Sequence, residues 1–504
     1  MPAIDPTRRD FARIGAAAAV AQASHARAAQ NPEIAKAMEA TLAAIPTAAS
    51  DPARPVYHFH PPANWNNDPN GTTWYQGWHH LFYQFNPYAA AWGHMHWGHA
   101  RSRDLVNWEH LPIALAPSLK KGELHVFSGA AIPGPDGRPR LFYTSIGNRD
   151  PEQWMALPAD DGLFTWKKYP GNPVLTLSIH GNRKISDWRD PFLFQEGGKT
   201  YMVCGGNSTA RRTGGGGEVQ LYEAVTNDFT RWRYRGPVFE YHDREAINIE
   251  CPNLFKLGAR WVLLISPHKP CEYFVGHLDL VHAKFVPEMR GTLDPGGAYA
   301  SNISFHPAPR CLLWLWGKTE SAPGSGWDNC MVLPRVLSIG ADGYLCQTPA
   351  PEFEALRGEA RTSAPVTLAN QSIALPEKFS GDCLELEAEL DTGDAAAVGL
   401  RLRCPTAGGA GTQVSYAPKD GMITAGTVRK LVGTGRRIRL RVFLDKRVME
   451  VYVNDGAAAI FTVTGAAPDA LGIEVFAKGG AARLESLTLW PLKPAKFSLD
   501  RFKV

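Results

Sequence analysis

The chain has 504 residues, a formal net charge of +4 and 20% charged residues, a balance that points to neither nucleic acid nor an acidic membrane surface. Its length is long for one domain and comfortable for two, and no apolar run of roughly 18 residues or more is present to predict a membrane span. With 48 Gly, 39 Pro and 15 Trp and little helical periodicity, the composition favours a mostly β protein with many turns.

Near the start, Thr7-Arg8-Arg9-Asp10-Phe11, a weakly apolar run from Ile14 to Ala23 and the small-x-small Ala26-Arg27-Ala28 form the pattern of a twin-arginine export signal over residues 1–30. It implies export to the periplasm or beyond; the alternative is a basic, alanine-rich terminus without that role. Asn31 then reads as a helix N-cap with Pro32 at the first position. Ile34, Met38, Leu42 and Ile45 predict a short amphipathic helix to about Ala44, a prefix over 31–50 outside the main fold.

From 51 to 350 a weak repeat of about sixty residues is expected to build a propeller. Similar segments close the first four units, ending on Trp108, Trp166, Trp232 and Phe285, and the span holds five such units. Sixty residues suit a four-stranded antiparallel sheet with long loops, so we expect five blades. Counting back from the closing aromatics places Asp68, Asp190 and Glu250 at equivalent points, the starts of the innermost strands of three blades. The matching stretch of the second blade is Val126-Phe127-Ser128-Gly129. Innermost strands line a central channel, where these acids would converge.

Each acid sits in a turn-rich segment running into an apolar strand: Trp65-Asn66-Asn67-Asp68-Pro69-Asn70-Gly71, Arg189-Asp190-Pro191-Phe192 and Glu250-Cys251-Pro252-Asn253. Taken alone, the first is equally an Asx-turn, and Arg189 with Asp190 equally a structural ion pair. The trio in this order resembles the signature motifs of glycoside hydrolase family 32, the invertase, levanase and inulinase family. The resemblance implies a retaining β-fructofuranosidase with Asp68 as nucleophile, Asp190 as transition-state stabiliser and Glu250 as general acid/base. It also implies substrate contacts from Asn67, Gln84, Trp92, Phe127, Ser128, Arg189 and Trp316, with Trp97 in the same pocket-wall segment as Trp92. Core packing is the competing reading of these aromatics.

In this chemistry Asp68 attacks the anomeric carbon while Glu250 protonates the leaving oxygen, and water then releases fructose. Charges on Asp68 and Asp190 are expected to hold Glu250 protonated at rest, and Arg189 to keep Asp190 ionised. No cofactor or metal is needed, and neither the histidines around His94 and His96 nor the eight cysteines, which lack a Cys-x-x-Cys pair, require one. Two departures from the family's pattern, Asn66 and the segment Tyr299-Ala300-Ser301-Asn302, are expected to touch the sugar or its leaving group.

After a 351–370 linker, alternation such as Leu384-Glu385-Leu386-Glu387 and Ile438-Arg439-Leu440-Arg441 predicts a C-terminal β-sandwich over 371–504. Asp445 to Gly456 resembles the signature hairpin of the family's C-terminal module. The expected protein is therefore all-β, a five-bladed β-propeller followed by a β-sandwich, acting on a small-molecule or polymeric fructoside such as sucrose, levan or inulin. A fructosyltransferase using the same site, a non-catalytic glycan-binding propeller and a glycosidase for arabinose-containing glycans are the alternatives.

Overall fold

The computed structural model describes residues 31–208, 216–307, 310–405 and 411–503; the expected export signal at 1–30 lies outside them. Five antiparallel sheets, each built on four strands, occupy residues 64–349. Their innermost strands are Asn64–Tyr75, Glu123–Pro133, Ile185–Glu196, Glu250–Leu257 and Ala298–His306. Each packs against the next and the fifth returns against the first, so the sheets close into a ring of blades. A two-residue strand from the fifth blade, Trp327–Asp328, pairs in parallel with Asn64 and Trp65 of the first and fastens the ring.

The repeat seen in the sequence has a local cause. Trp108, Trp166 and Trp232 each open the outermost strand of a blade. Their indole N–H groups donate to the carbonyls of Leu105, Leu163 and Phe229 at 3.1, 3.1 and 2.9 Å. Those three residues take positive φ of 62°, 59° and 62°, a left-handed turn that costs a branched or bulky side chain energy and must be held from outside. The hold comes from acids: Asp104 Oδ1 accepts the amides of Val106 and Asn107, and Asp228 Oδ1 that of Thr230.

The prefix helix runs Pro32–Ser50, past its expected end and through Pro46, and its N-cap is Asn31 as read from the sequence. It is not outside the fold. Ile34, Met38 and Leu42 pack on the first blade's core, and Ala48 is buried with Ala63 and Trp327 at the ring closure. Trp327 Nε1 also donates to Asp51 Oδ2 at 2.9 Å.

The C-terminal part is a sandwich of a seven-stranded and a six-stranded sheet. Strands Arg361–Ser363 and Val366–Ala369, within the stretch expected as a linker, pair with Ala481–Pro491 of the sandwich. The chain's last strand, Phe497–Ser498, leaves the sandwich and pairs in parallel with Trp108 and Glu109 of the first blade. Side chains of the seven-stranded sheet alternate between two cores, as strand geometry requires. Met449, Val451, Val453 and Ile460 enter the sandwich core, whereas Val448 and Phe461 join the core of the propeller.

Polar groups on the propeller-facing side form a buried ion network. Arg335 Nη2 meets Asp294 Oδ2 at 2.8 Å and Glu450 Oε2 at 3.0 Å; His58 Nδ1 and Nε2 meet Asp445 Oδ2 and Glu450 Oε1 at 2.9 and 3.1 Å. All five side chains are fully buried. Removing one member of such a set leaves an uncompensated charge, at a cost of about 3–5 kcal/mol.

Candidate active site

All five innermost strands lose register with their neighbours at the same end, around residues 67–68, 127–128, 190–191, 251–252 and 300. A bulge adds a residue to one strand and re-aims the side chains there. Proline follows Asp68, Asp190 and Cys251, and having no N–H it forfeits no ladder bond at the bulge. Asp190, Cys251 and Ala300 carry the strain directly, with φ of 63°, 44° and 46°.

The last paired residues before the bulges are Asn66, Val126, Arg189, Glu250 and Tyr299. Counted from them, Asp68 stands second, Asp190 first, and Glu250 is itself the paired residue, so the expected equivalence of the three acids is off by one residue from blade to blade. At this end lies a cavity of about 530 Å³, within the roughly 300–1,000 Å³ usual for small-molecule sites. Asp68, Asp190, Glu250, Asn67, Gln84, Trp92, Phe127, Ser128, Arg189 and Trp316 all line it.

Asp68 is oriented from three sides. Asn67 Nδ2 donates to its Oδ1 at 3.0 Å, Ser128 Oγ donates to Oδ2, and the Cys251 thiol lies 3.4 Å from Oδ2. Gln84 Nε2 donates to Ser128 Oγ at 2.6 Å, which leaves the serine proton for Asp68; Gln84 Oε1 accepts from Asn67 at 2.9 Å. Burial raises the Asp68 carboxyl; the Ser128 bond opposes this and the charge of Glu250 adds to it. Asp190 accepts the Cys251 amide at 2.9 Å, and Arg189 Nε stands 3.9 Å away. Burial pushes Asp190 up to about 7 against the pull of Arg189, with Glu250 and Asp68 adding to the rise.

Glu250 departs from expectation. Arg189 Nη2 donates to its Oε1 at 2.7 Å, Tyr299 Oη lies 2.8 Å from Oε2, and His268 Nε2 is 3.6 Å from Oε1. Burial raises this carboxyl, but Arg189 and His268, with the bonds from Arg189 and Tyr299, outweigh it and hold Glu250 below its ordinary value. Glu250 is thus lowered where a rise was expected, because Arg189 bonds Glu250 and only stands near Asp190.

Among the aromatics, Trp92 is 53% exposed at the rim, whereas Trp97 is fully buried, packed against Phe82 and Tyr143 in a core cluster. Asn66 is also fully buried and does not line the cavity. Its side chain faces away from the channel, as alternation along a strand demands for a neighbour of Asn67. Of the segment Tyr299 to Asn302, only Tyr299 reaches the cavity; Asn302 instead accepts from Thr72 Oγ1 at 2.6 Å.

His268, Lys269 and Lys318 line the cavity without having been anticipated. They stand on turns and strand ends, where no periodicity marks them. Tyr299 was legible in principle, since carrying the blade repeat into the fifth blade aligns it with Glu250.

The family models match in sequence order: "Glycosyl hydrolases family 32 N-terminal domain" over residues 58–349 and "Glycosyl hydrolases family 32 C terminal" over 352–491. The chain is similar to the levanase of Bacillus subtilis (strain 168), 32% identical over 498 residues, covering 87% of this chain and 70% of that protein. It is 30% identical to the raffinose invertase of Escherichia coli over 87% of this chain and 95% of that one. Its fold is like that of fructan 1-exohydrolase IIa from Cichorium intybus, with a TM-score of 0.79 at 24% identity, covering 89% and 98% of the two chains. A β-fructofuranosidase from Bombyx mori aligns with a TM-score of 0.75 at 26% identity over 92% of this chain and 98% of that chain.

Proposed function

The chain belongs to glycoside hydrolase family 32, and from that premise we propose that it is a retaining β-fructofuranosidase releasing terminal fructosyl units from sucrose and fructans through a covalent fructosyl-enzyme. The observation that carries this reading is the meeting of Asp68, Asp190 and Glu250, from three blades, in one cavity. Relatives named levanase and raffinose invertase support the substrate class.

In the proposed reaction Asp68 attacks the anomeric carbon, and the donors from Asn67 and Ser128 aim the carboxylate so that little reorganisation is needed. Asp190 and Arg189 hold the ring hydroxyls, with Asn67 and Gln84 beside them and Trp92, Phe127 and Trp316 as apolar walls. Glu250 protonates the leaving oxygen and then deprotonates the attacking water. Since Arg189 is bonded to Glu250 and lowers it, the bound sugar draws the guanidinium toward its own hydroxyls so that Glu250 holds the proton it delivers. No cofactor enters any step. Export through the twin-arginine pattern at Arg8-Arg9 is part of the proposal and is supported by that pattern alone.

The test is product analysis of the wild type and Asp68→Ala with sucrose, inulin and levan. Fructose release by the wild type, reduced about 10⁴-fold or more in the variant, is expected. A wild type that turns over none of the three substrates sinks the reading.

A further inference from the structure

The sandwich reaches the cavity wall through Phe461. Phe461 lies on Ala458–Val463, an edge strand of the seven-stranded sheet. Such an edge presents unpaired N–H and C=O groups that must find partners. Here the propeller supplies them: Phe461 N donates to Asp294 Oδ2 at 3.0 Å, and Gly297 N donates to Phe461 O at 2.9 Å. Lys318 N in turn donates to Gly297 O at 3.0 Å, so one chain of backbone bonds runs from the sandwich to two strand ends of the fifth blade.

The phenyl ring of Phe461 is fully buried, and three glycines shape the space around it. A Cβ at Gly296 would stand 1.9 Å from Phe461 O, one at Gly297 3.3 Å from Cδ1 and one at Gly317 2.5 Å from Cζ. Beside these glycines stand Tyr299 and Lys318 of the cavity wall. The Lys318 ammonium lies 4.4 Å from the centre of the Tyr299 ring and 4.8 Å from that of Trp316. Tyr299 Oη also accepts the His268 amide at 2.9 Å, which leaves its single hydrogen for Glu250 or for the Ser266 carbonyl at 3.0 Å. A small shift of the ring thus decides whether Glu250 keeps that donor.

We infer that Phe461 is a positioning residue for the reaction, a wedge from the sandwich that sets the Gly296–Tyr299 and Gly317–Lys318 wall and through Tyr299 aims Glu250. The inference rests on the glycosidase reading for its kinetic readout and on geometry for its structural one. A small-residue wall has no side chains to brace itself, and close packing transmits any loss behind it. The C-terminal domain then does more than stabilise, since removing its ring changes the ionisation of a group in another domain.

Phe461→Leu and Phe461→Ala test this, beside Leu400→Ala in the sandwich's own core as a control for simple loss of stability. Both Phe461 variants are expected to lose tenfold or more in kcat. The alkaline limb of kcat/KM should move to higher pH, because Glu250 loses the Tyr299 donor that favours its charged form. Gly317→Ala, which drives a methyl into the ring from the other side, should shift the limb in the same direction, whereas Leu400→Ala should lower Tm without moving it. If Phe461→Ala does not fold, Phe461→Leu and Gly317→Ala carry the test. An unmoved limb and kcat in folded variants would overturn the wedge. A wild type without fructosidase activity would instead overturn the activity reading alone. Crystal structures of the variants would then decide, and a Tyr299–Glu250 bond kept at 2.8 Å in Phe461→Leu would overturn the wedge.

Discussion

Arg189 Nη2 donates to Glu250 Oε1 at 2.7 Å, so a cation beside the three acids is bound to the carboxyl proposed to deliver the proton. The proposed roles, Asp68 ionised and Glu250 protonated, therefore run against the direction in which the site shifts each group, one raised and the other lowered. The profile of kcat/KM reports the free enzyme and that of kcat the complex. A sugar that draws Arg189 off Glu250 lets that carboxyl rise, so the alkaline limb of kcat should lie about one pH unit above that of kcat/KM. Coincident limbs would mean that Arg189 stays on Glu250 throughout binding.

Arg189→Gln removes the clamp in the free enzyme. The alkaline limb of kcat/KM itself should then move up, because the strongest influence lowering Glu250 is gone. At the optimum, kcat/KM should fall about 10²–10³-fold through the lost contact with the ring hydroxyls. Initial rates on sucrose between pH 4 and 9 check both. A lower rate with an unmoved limb would remove Arg189 from the control of Glu250.

The domain interface should titrate. Burial lowers His58, but hydrogen bonds and charge from Asp445 and Glu450 outweigh it and raise the imidazole to about 9. A folded value raised above the unfolded one contributes stability that is complete below about 6.5 and is lost as pH rises through about 9, on the order of 3 kcal/mol in all. Tm should decline across that window, and His58→Gln should flatten the decline while lowering Tm at pH 6. A decline of equal slope in the variant would place its origin elsewhere.

Lys318 is the only cavity-lining cation with no carboxylate at ion-pair distance among the described residues. It lines the cavity with Tyr299, whose hydroxyl bonds Glu250, on the side where the proposed reaction puts the leaving group. Lys318→Met should raise KM for sucrose about three- to tenfold and leave kcat within about twofold, the signature of binding lost equally from ground and transition states. An unchanged KM would show that the ammonium serves only the Tyr299 and Trp316 rings.

Ala48 has no exposed surface and packs with Ala63 and Trp327 where the ring closes. Ala48→Glu buries a charge without a partner and should cost about 3 kcal/mol or more, read as a lower Tm. Thermal melts that match the wild type would restore the helix to the status of a detached prefix.

Much of the fold was legible because its unit is local. The Leu105-to-Trp108 turn, with an acid before it and an indole bond closing it, needs only neighbouring residues and so leaves a repeat in the sequence. The ten expected cavity residues follow from the same repeat and from the family motifs, since equivalent places on innermost strands converge once the ring closes. The Pro32–Ser50 helix shows the opposite case. Its periodicity was visible, but its docking partners, Ala63 and Trp327, lie far along the chain and carry no mark of the helix.

The sequence alone therefore determined the architecture and the three acids that meet in the cavity, because blade turns and acid-proline bulges are encoded by short-range contacts. Only the tertiary structure decided which carboxyl Arg189 holds and that the three acids stand at different places in their bulges. It also decided that Trp97 is core, and that Phe461 of the sandwich backs the cavity wall. Each of these depends on distances between residues of different blades or domains. Charge ordering and packing are set by such distances, which become defined only when the ring has closed and the sandwich has docked.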